Sequence, residues 1–108
     1  MSDSKGNPLE GISTVINGRH AFVHERVLEY IVRETDRSGG VVFRKRDMAE
    51  WLGCRPYSLD RAVRELRRDG FITVTPQFTQ SGAQIGNIYS ATTIGRARVS
   101  VWKNREQR

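Results

Sequence analysis

The 108-residue sequence predicts a single small α+β domain, three short helices followed by an antiparallel β-hairpin. Apolar residues recur at helical spacing in three separate segments between residues 22 and 69. Glycine or proline punctuates those segments at Gly39, Gly40, Gly53, Pro56 and Gly70. After Gly70 the pattern becomes β-branched and aromatic, in two runs split by a polar, glycine-containing connection.

Residues 1–11 are polar and predict a flexible tail, without the apolar core of a secretion signal. "ISTVI" at 12–16 is short and β-branched, and reads as a strand or an arm. Asn17 and Gly18 then signal a turn. The first helix is expected over 22–37, with Val27, Leu28, Ile31 and Val32 facing inward, before "SGG" stops it. "VVF" at 41–43 reads as a short strand. The second helix, "KRDMAEWL", turns Met48, Ala49 and Leu52 inward and ends at Gly53. Pro56 suits the first turn of a third helix that runs to Asp69. Two strands are expected at 71–78 and 85–93, with Pro76 at an edge or bulge. The segment 96–108 is a basic tail whose alternating Ala97, Val99 and Val101 fit a strand, a helix or an arm. The domain proper is therefore expected at 12–95.

Charged residues make up 28% of the chain and apolar ones 37%, which fits a folded protein better than a disordered one. No apolar run approaches the roughly 20 residues of a membrane helix. The lone Cys54 excludes an internal disulfide and points to a reducing, cytoplasmic setting. The net charge of +6 favours a polyanionic partner, nucleic acid before anionic membrane.

The placement of the charge is more telling. On a helix over 57–68, Leu59, Ala62, Val63 and Leu66 share an arc of about 100°. Tyr57, Arg61, Arg64 and Arg68 share a second arc of about 60°, nearly opposite. Each like-charge neighbour pair costs roughly 0.2–0.5 kcal/mol in an isolated helix, and a polyanion along the ridge would reverse the sign. Pairs of Asp60 with Arg64 and of Arg61 with Glu65 offset part of that repulsion. A solvated surface helix is the ordinary alternative.

Two short helices joined by a tight turn, "RDMAEWLGCRPYSLDRAVRELRRDGFI", resemble the winged helix-turn-helix proteins of bacterial regulators and of phage or plasmid replication. "MAEWLG" matches the family's Leu-Ala-x-x-Leu-Gly with Met for the first Leu, Cys54 fills the small turn position, and "LRRDGFI" matches the close of its third helix. "GNIYS" is similar to the end of the wing. The resemblance covers residues 22–92. It implies a three-helix core with a C-terminal hairpin wing, and double-stranded DNA as partner. Helix 56–69 would enter the major groove. Arg55, Tyr57, Ser58 and Arg61 would then face bases, and Arg64 and Arg68 phosphates. Arg44, Lys45 and Arg46 would clamp the backbone. Thr79, Gln80, Ser81 and Gln84 would give a weak wing contact, since the tip carries no Lys or Arg. One departure is Arg55, where the family usually carries a capping Ser or Thr.

Other constellations carry less. His20 and His24 are four residues apart with only Glu25 near, too few for a metal site. Cys54 reads as a packing residue. No phosphate-binding glycine loop, catalytic triad or carboxylate pair appears, so no enzyme, cofactor or small-molecule ligand is expected. Trp51 and Trp102 read as partly buried or as dimer contacts, and segments 9–20 and 93–108 are available for a homodimer interface. The expected function is a small, sequence-specific transcriptional regulator. The alternatives are an accessory DNA-binding protein of a mobile element, acting in replication, partition or excision, and a winged helix that binds protein or RNA.

Overall fold

The computed structural model describes residues 7–106, and the side chains of 7–104. Among them are two small antiparallel hairpins and four helices. Strands β1 (Val15–Ile16) and β2 (Arg19–His20) come first, then helices α1 (Val23–Ser38), α2 (Lys45–Leu52) and α3 (Pro56–Arg68). Strands β3 (Ile72–Phe78) and β4 (Gln84–Ala91) form the wing, and helix α4 (Thr93–Glu106) follows. The α+β, winged helix-turn-helix architecture is thus the one expected.

The core is built from the inward stripes of the helices. Val27, Leu28 and Ile31 of α1, Met48 and Ala49 of α2, and Leu59, Val63 and Leu66 of α3 are all buried together. Ile72 and Tyr89 of the wing close the core from the other side. Phe43 stacks on Tyr89 with ring centroids 4.2 Å apart. The "GNIYS" tyrosine therefore anchors the wing to the core and does not face outward. Trp51, Leu52, Cys54 and Trp102 pack against this cluster while half-buried.

The helix ends follow from local chemistry. Gly39 ends α1 and Gly53 ends α2, both in the left-handed region that glycine enters without a Cβ penalty. The Gly53 and Cys54 amides donate to the carbonyls of Glu50 and Ala49, which sets the sharp turn into α3. Pro56 opens α3 as expected. No side chain caps that helix, because Arg55 stands at the N-cap.

Three expectations change. The strand expected at 12–16 is confined to Val15–Ile16, which pairs with Arg19–His20 across a turn with positive φ at Asn17 and Gly18. The strand expected at 41–43 reduces to a bridge between Val41 and Tyr89, because the chain turns into α2 directly afterwards. The segment 96–108, left open as strand, helix or arm, lies in α4 as far as residue 106. A helix places Gly95, Val99 and Trp102 toward the core and leaves Ala97 and Val101 exposed. A Cβ on Gly95 would lie 2.2 Å from the Phe71 carbonyl oxygen, so only glycine lets α4 dock this closely.

The packed unit also reaches past both expected boundaries. Leu9, inside the tail expected at 1–11, is buried in the core, and Arg33 donates to the carbonyls of Pro8 and Glu10. Helix α4 is continuous across 95/96 and contributes Val99 to the core. Residues 1–6 and 107–108 of the two expected tails lie outside the described residues.

The start of α1 has its own lock. Glu25 is buried, accepts the Phe22 amide (2.8 Å), and takes both terminal nitrogens of Arg19 (2.9 and 2.8 Å). The Arg19 hydrogen bond holds its carboxyl below the usual carboxylate range, against the opposing cost of burial. A carboxylate with a depressed folded-state pKa stabilises above its unfolded value and loses that contribution as pH falls through the folded one. Glu25→Gln is expected to cost about 1–2 kcal/mol near neutrality. Urea unfolding of both proteins should show the gap narrowing as pH drops below the ordinary Glu range.

Candidate nucleic-acid interface

Helix α3 is held by its buried stripe, Leu59, Ala62, Val63 and Leu66, against α1 and α2. That fixes the opposite face outward. Tyr57, Arg61, Arg64, Glu65 and Arg68 line one shallow groove along it. Tyr57 is 69% exposed. The ridge inferred from helical angles is therefore a continuous surface in the fold.

The arginines on it are steered by acids. Arg61 pairs with Glu65 (3.3 Å), Arg64 with Asp60 (3.2 Å) and Arg68 with Asp69 (3.4 Å). The first two are the offsetting pairs expected from the sequence. These pairs are solvent-exposed and weak, so a phosphate can displace the carboxylate at little cost. Meanwhile they keep the guanidinium groups along the helix.

The other expected residues surround this ridge. Arg44 stands at the N-cap of α2, exposed, and pairs with Asp47 (3.0 Å). Lys45 reaches across to Asp60 of α3 at 2.6 Å. Arg46, Arg55 and Arg67 are exposed and have no ion-pair partner among the described residues. Ser58 is half-buried in a cleft between α3 and the start of α1. At the wing tip the Thr79 and Ser81 hydroxyls are 2.8 Å apart, and Gln80 is exposed. Gln84 is turned back on its own strand, donating to Asn87 Oδ1 at 3.0 Å.

Two features were not legible in the sequence. Asp60 is bonded to both Lys45 and Arg64, tying the start of α2 to the ridge of α3. The Lys45 hydrogen bond is the main reason its carboxyl is held below the usual carboxylate range. Nothing in the sequence pairs two residues fifteen apart on different helices. The second feature is an aromatic and basic cluster beside the ridge. The Arg19 guanidinium lies 4.2 Å over the Phe22 ring, and Phe22 stacks on His24 at 5.5 Å. Phe22 and His24 share their cleft with Tyr57 and Arg61. With Glu25 engaged by Arg19, that carboxylate is not free to join the two histidines around a metal. Among the described residues no three His, Cys, Asp or Glu side chains are grouped to hold one.

A model of the Crp-like helix-turn-helix domain matches residues 25–80, from the first turn of α1 to the wing tip. The chain belongs to the Crp-like helix-turn-helix family. The helix-turn-helix pair of this family is a DNA-binding module, and its second helix corresponds here to α3. A comparison with curated protein sequences finds no match. Among the described residues no helix is long and apolar enough to cross a membrane.

Proposed function

We propose that this protein is a sequence-specific regulator of transcription that binds duplex DNA as a homodimer in the bacterial cytoplasm. The observation that carries the reading is the ridge of Tyr57, Arg61, Arg64 and Arg68, exposed on the second helix of a helix-turn-helix pair. Arg55, Tyr57, Ser58 and Arg61, at the N-terminal end of α3, face base edges. An arginine there bonds guanine O6 and N7 together. Arg64 and Arg68, further along, meet phosphates, as do Arg44, Lys45 and Arg46 at the start of α2. Gln80 and Ser81 add a weak contact from the uncharged wing tip.

Arg55 gives this reading a sharp test. As an N-cap it leaves the first turn of α3 without a side-chain acceptor. Arg55→Ser should restore the cap and raise stability by about 0.5–1 kcal/mol. The same change should weaken DNA binding, because it removes an exposed cation beside the base-reading end. Thermal melting and DNA titration would then move in opposite directions. A variant that melts higher and binds DNA as well as the native protein would place Arg55 outside the interface.

The class of partner is tested by fluorescence anisotropy with a mixed-sequence DNA duplex and a structured RNA of equal length. The duplex should bind more tightly, and affinity should fall steeply with salt as counterions are released. Preference for the RNA, or no binding to either at low salt, would favour an RNA or protein module instead.

A further inference from the structure

The two flanks of α3 have different neighbours. At about 100° per residue, Asp60 and Ser58 fall on opposite sides of the ridge that runs from Tyr57 to Arg61. On the Asp60 side stands the start of α2, joined to α3 through Lys45. On the Ser58 side stands the start of α1. There Phe22, His24, Tyr57, Ser58, Arg61 and Glu65 line a cleft of about 340 Å³. The α1 wall of that cleft is aromatic. Phe22 is 52% exposed, and its ring stacks on half-buried His24 with centroids 5.5 Å apart. Both residues precede 25–80, the part of the chain that the Crp-like domain matches.

This wall is held in place from behind. The Arg19 guanidinium lies 4.2 Å from the Phe22 ring centre and donates twice to buried Glu25, at 2.9 and 2.8 Å. Glu25 also accepts the Phe22 amide at 2.8 Å. A half-exposed phenyl ring removes little apolar area from water, so its own burial does not account for the lock. A fixed, exposed edge is what lowers the ordering cost of binding a partner.

We propose that Phe22 and His24 meet the sugar–phosphate backbone of duplex DNA, on the strand opposite the one that the start of α2 contacts. This contact rests on the reading of α3 as the helix that enters the major groove. That groove is about 12 Å wide and admits one helix, so a phosphate strand runs along each flank of it. His24 donates a ring N–H to a phosphate oxygen, and Phe22 lies against the adjoining sugar. Arg19 touches neither and acts by positioning Phe22. Charge favours the backbone as occupant. The cleft is continuous with the arginine ridge through Tyr57 and Arg61, and its one carboxylate, Glu65, is paired with Arg61 at 3.3 Å.

The test is fluorescence anisotropy of a mixed-sequence duplex titrated with the full chain at several salt concentrations. His24→Glu should weaken binding by about tenfold or more, since it sets a carboxylate against a phosphate. Its melting temperature should hold or rise, because an acid in the first turn of a helix is favourable. His24→Lys should steepen the log–log salt slope by about 0.9, one added phosphate contact. Val101→Glu and Val101→Lys make the same charge changes on the exposed side of α4, and should leave affinity and slope near native. A native protein that binds no duplex overturns this contact together with the reading of α3. Native binding that depends on Arg64 and Arg68, with His24 variants that behave like the Val101 variants, overturns the contact alone.

Discussion

Replacing Arg64 and Arg68 together with alanine is expected to flatten the salt dependence of DNA binding by about 1.8 in log–log slope, two phosphate contacts at roughly 0.9 each. Both side chains are well exposed on the outer ridge of α3, and their acid partners lie on the helix or at its end. The loss should fall evenly on all DNA sequences, because phosphate contacts position a protein without reading bases. Arg61→Ala should behave differently, weakening the preferred site more than other sequences. Folding should hardly change in either variant, since exposed ion pairs contribute about 0–1 kcal/mol and each substitution also removes like-charge repulsion. Anisotropy titrations at several salt concentrations, paired with thermal melts, separate these outcomes. An unchanged slope in the double variant would make the ridge an ordinary solvated face.

Leu59→Ala is expected to be the most damaging single change to stability, at about 2–5 kcal/mol. Leu59 is fully buried at the N-terminal half of α3, within the cluster that joins α1, α2 and the wing. Truncation leaves a cavity directly beneath the N-terminal end of the helix. For a domain of this size each kcal/mol shifts the melting temperature by roughly 4–8 °C, so the midpoint should drop by roughly 8–40 °C. Tyr57→Ala, two residues away but exposed, should melt close to native. Denaturant unfolding followed by circular dichroism checks both. A small effect at Leu59 would mean that α3 is not held by this stripe.

The contrast between those two residues explains what the sequence made legible. Helix α3 was readable because one buried stripe, an initiating proline and a terminating glycine all agree on the same period and limits. Its outer ridge followed, since fixing one face of a helix fixes the other. Helix α4 was not readable. Ala97, Val99 and Val101 alternate, as in a strand, and the decisive contact is the close approach of Gly95 to the Phe71 carbonyl, which no local pattern encodes. Val41–Phe43 looked like a strand by composition, yet only Val41 finds a backbone partner. The Lys45–Asp60 pair and the stacking of Arg19 on Phe22 depend on how separate elements pack, so the sequence named those residues without joining them. The buried Leu9 was hidden for the same reason, a single apolar residue in a polar stretch.

The central claim is that the exposed face of α3 reads duplex DNA by sequence. Selection of bound duplexes from a random-sequence pool tests it most directly, run on the native protein and on Arg61→Ala. The native protein should enrich one shared motif containing guanines, arranged as two related half-sites about one helical turn apart if two copies bind. Arg61→Ala should relax the preference at one position of each half-site. Recovery of no motif from the native protein, with binding that depends on salt alone, would contradict sequence-specific recognition and leave only a general affinity for polyanions.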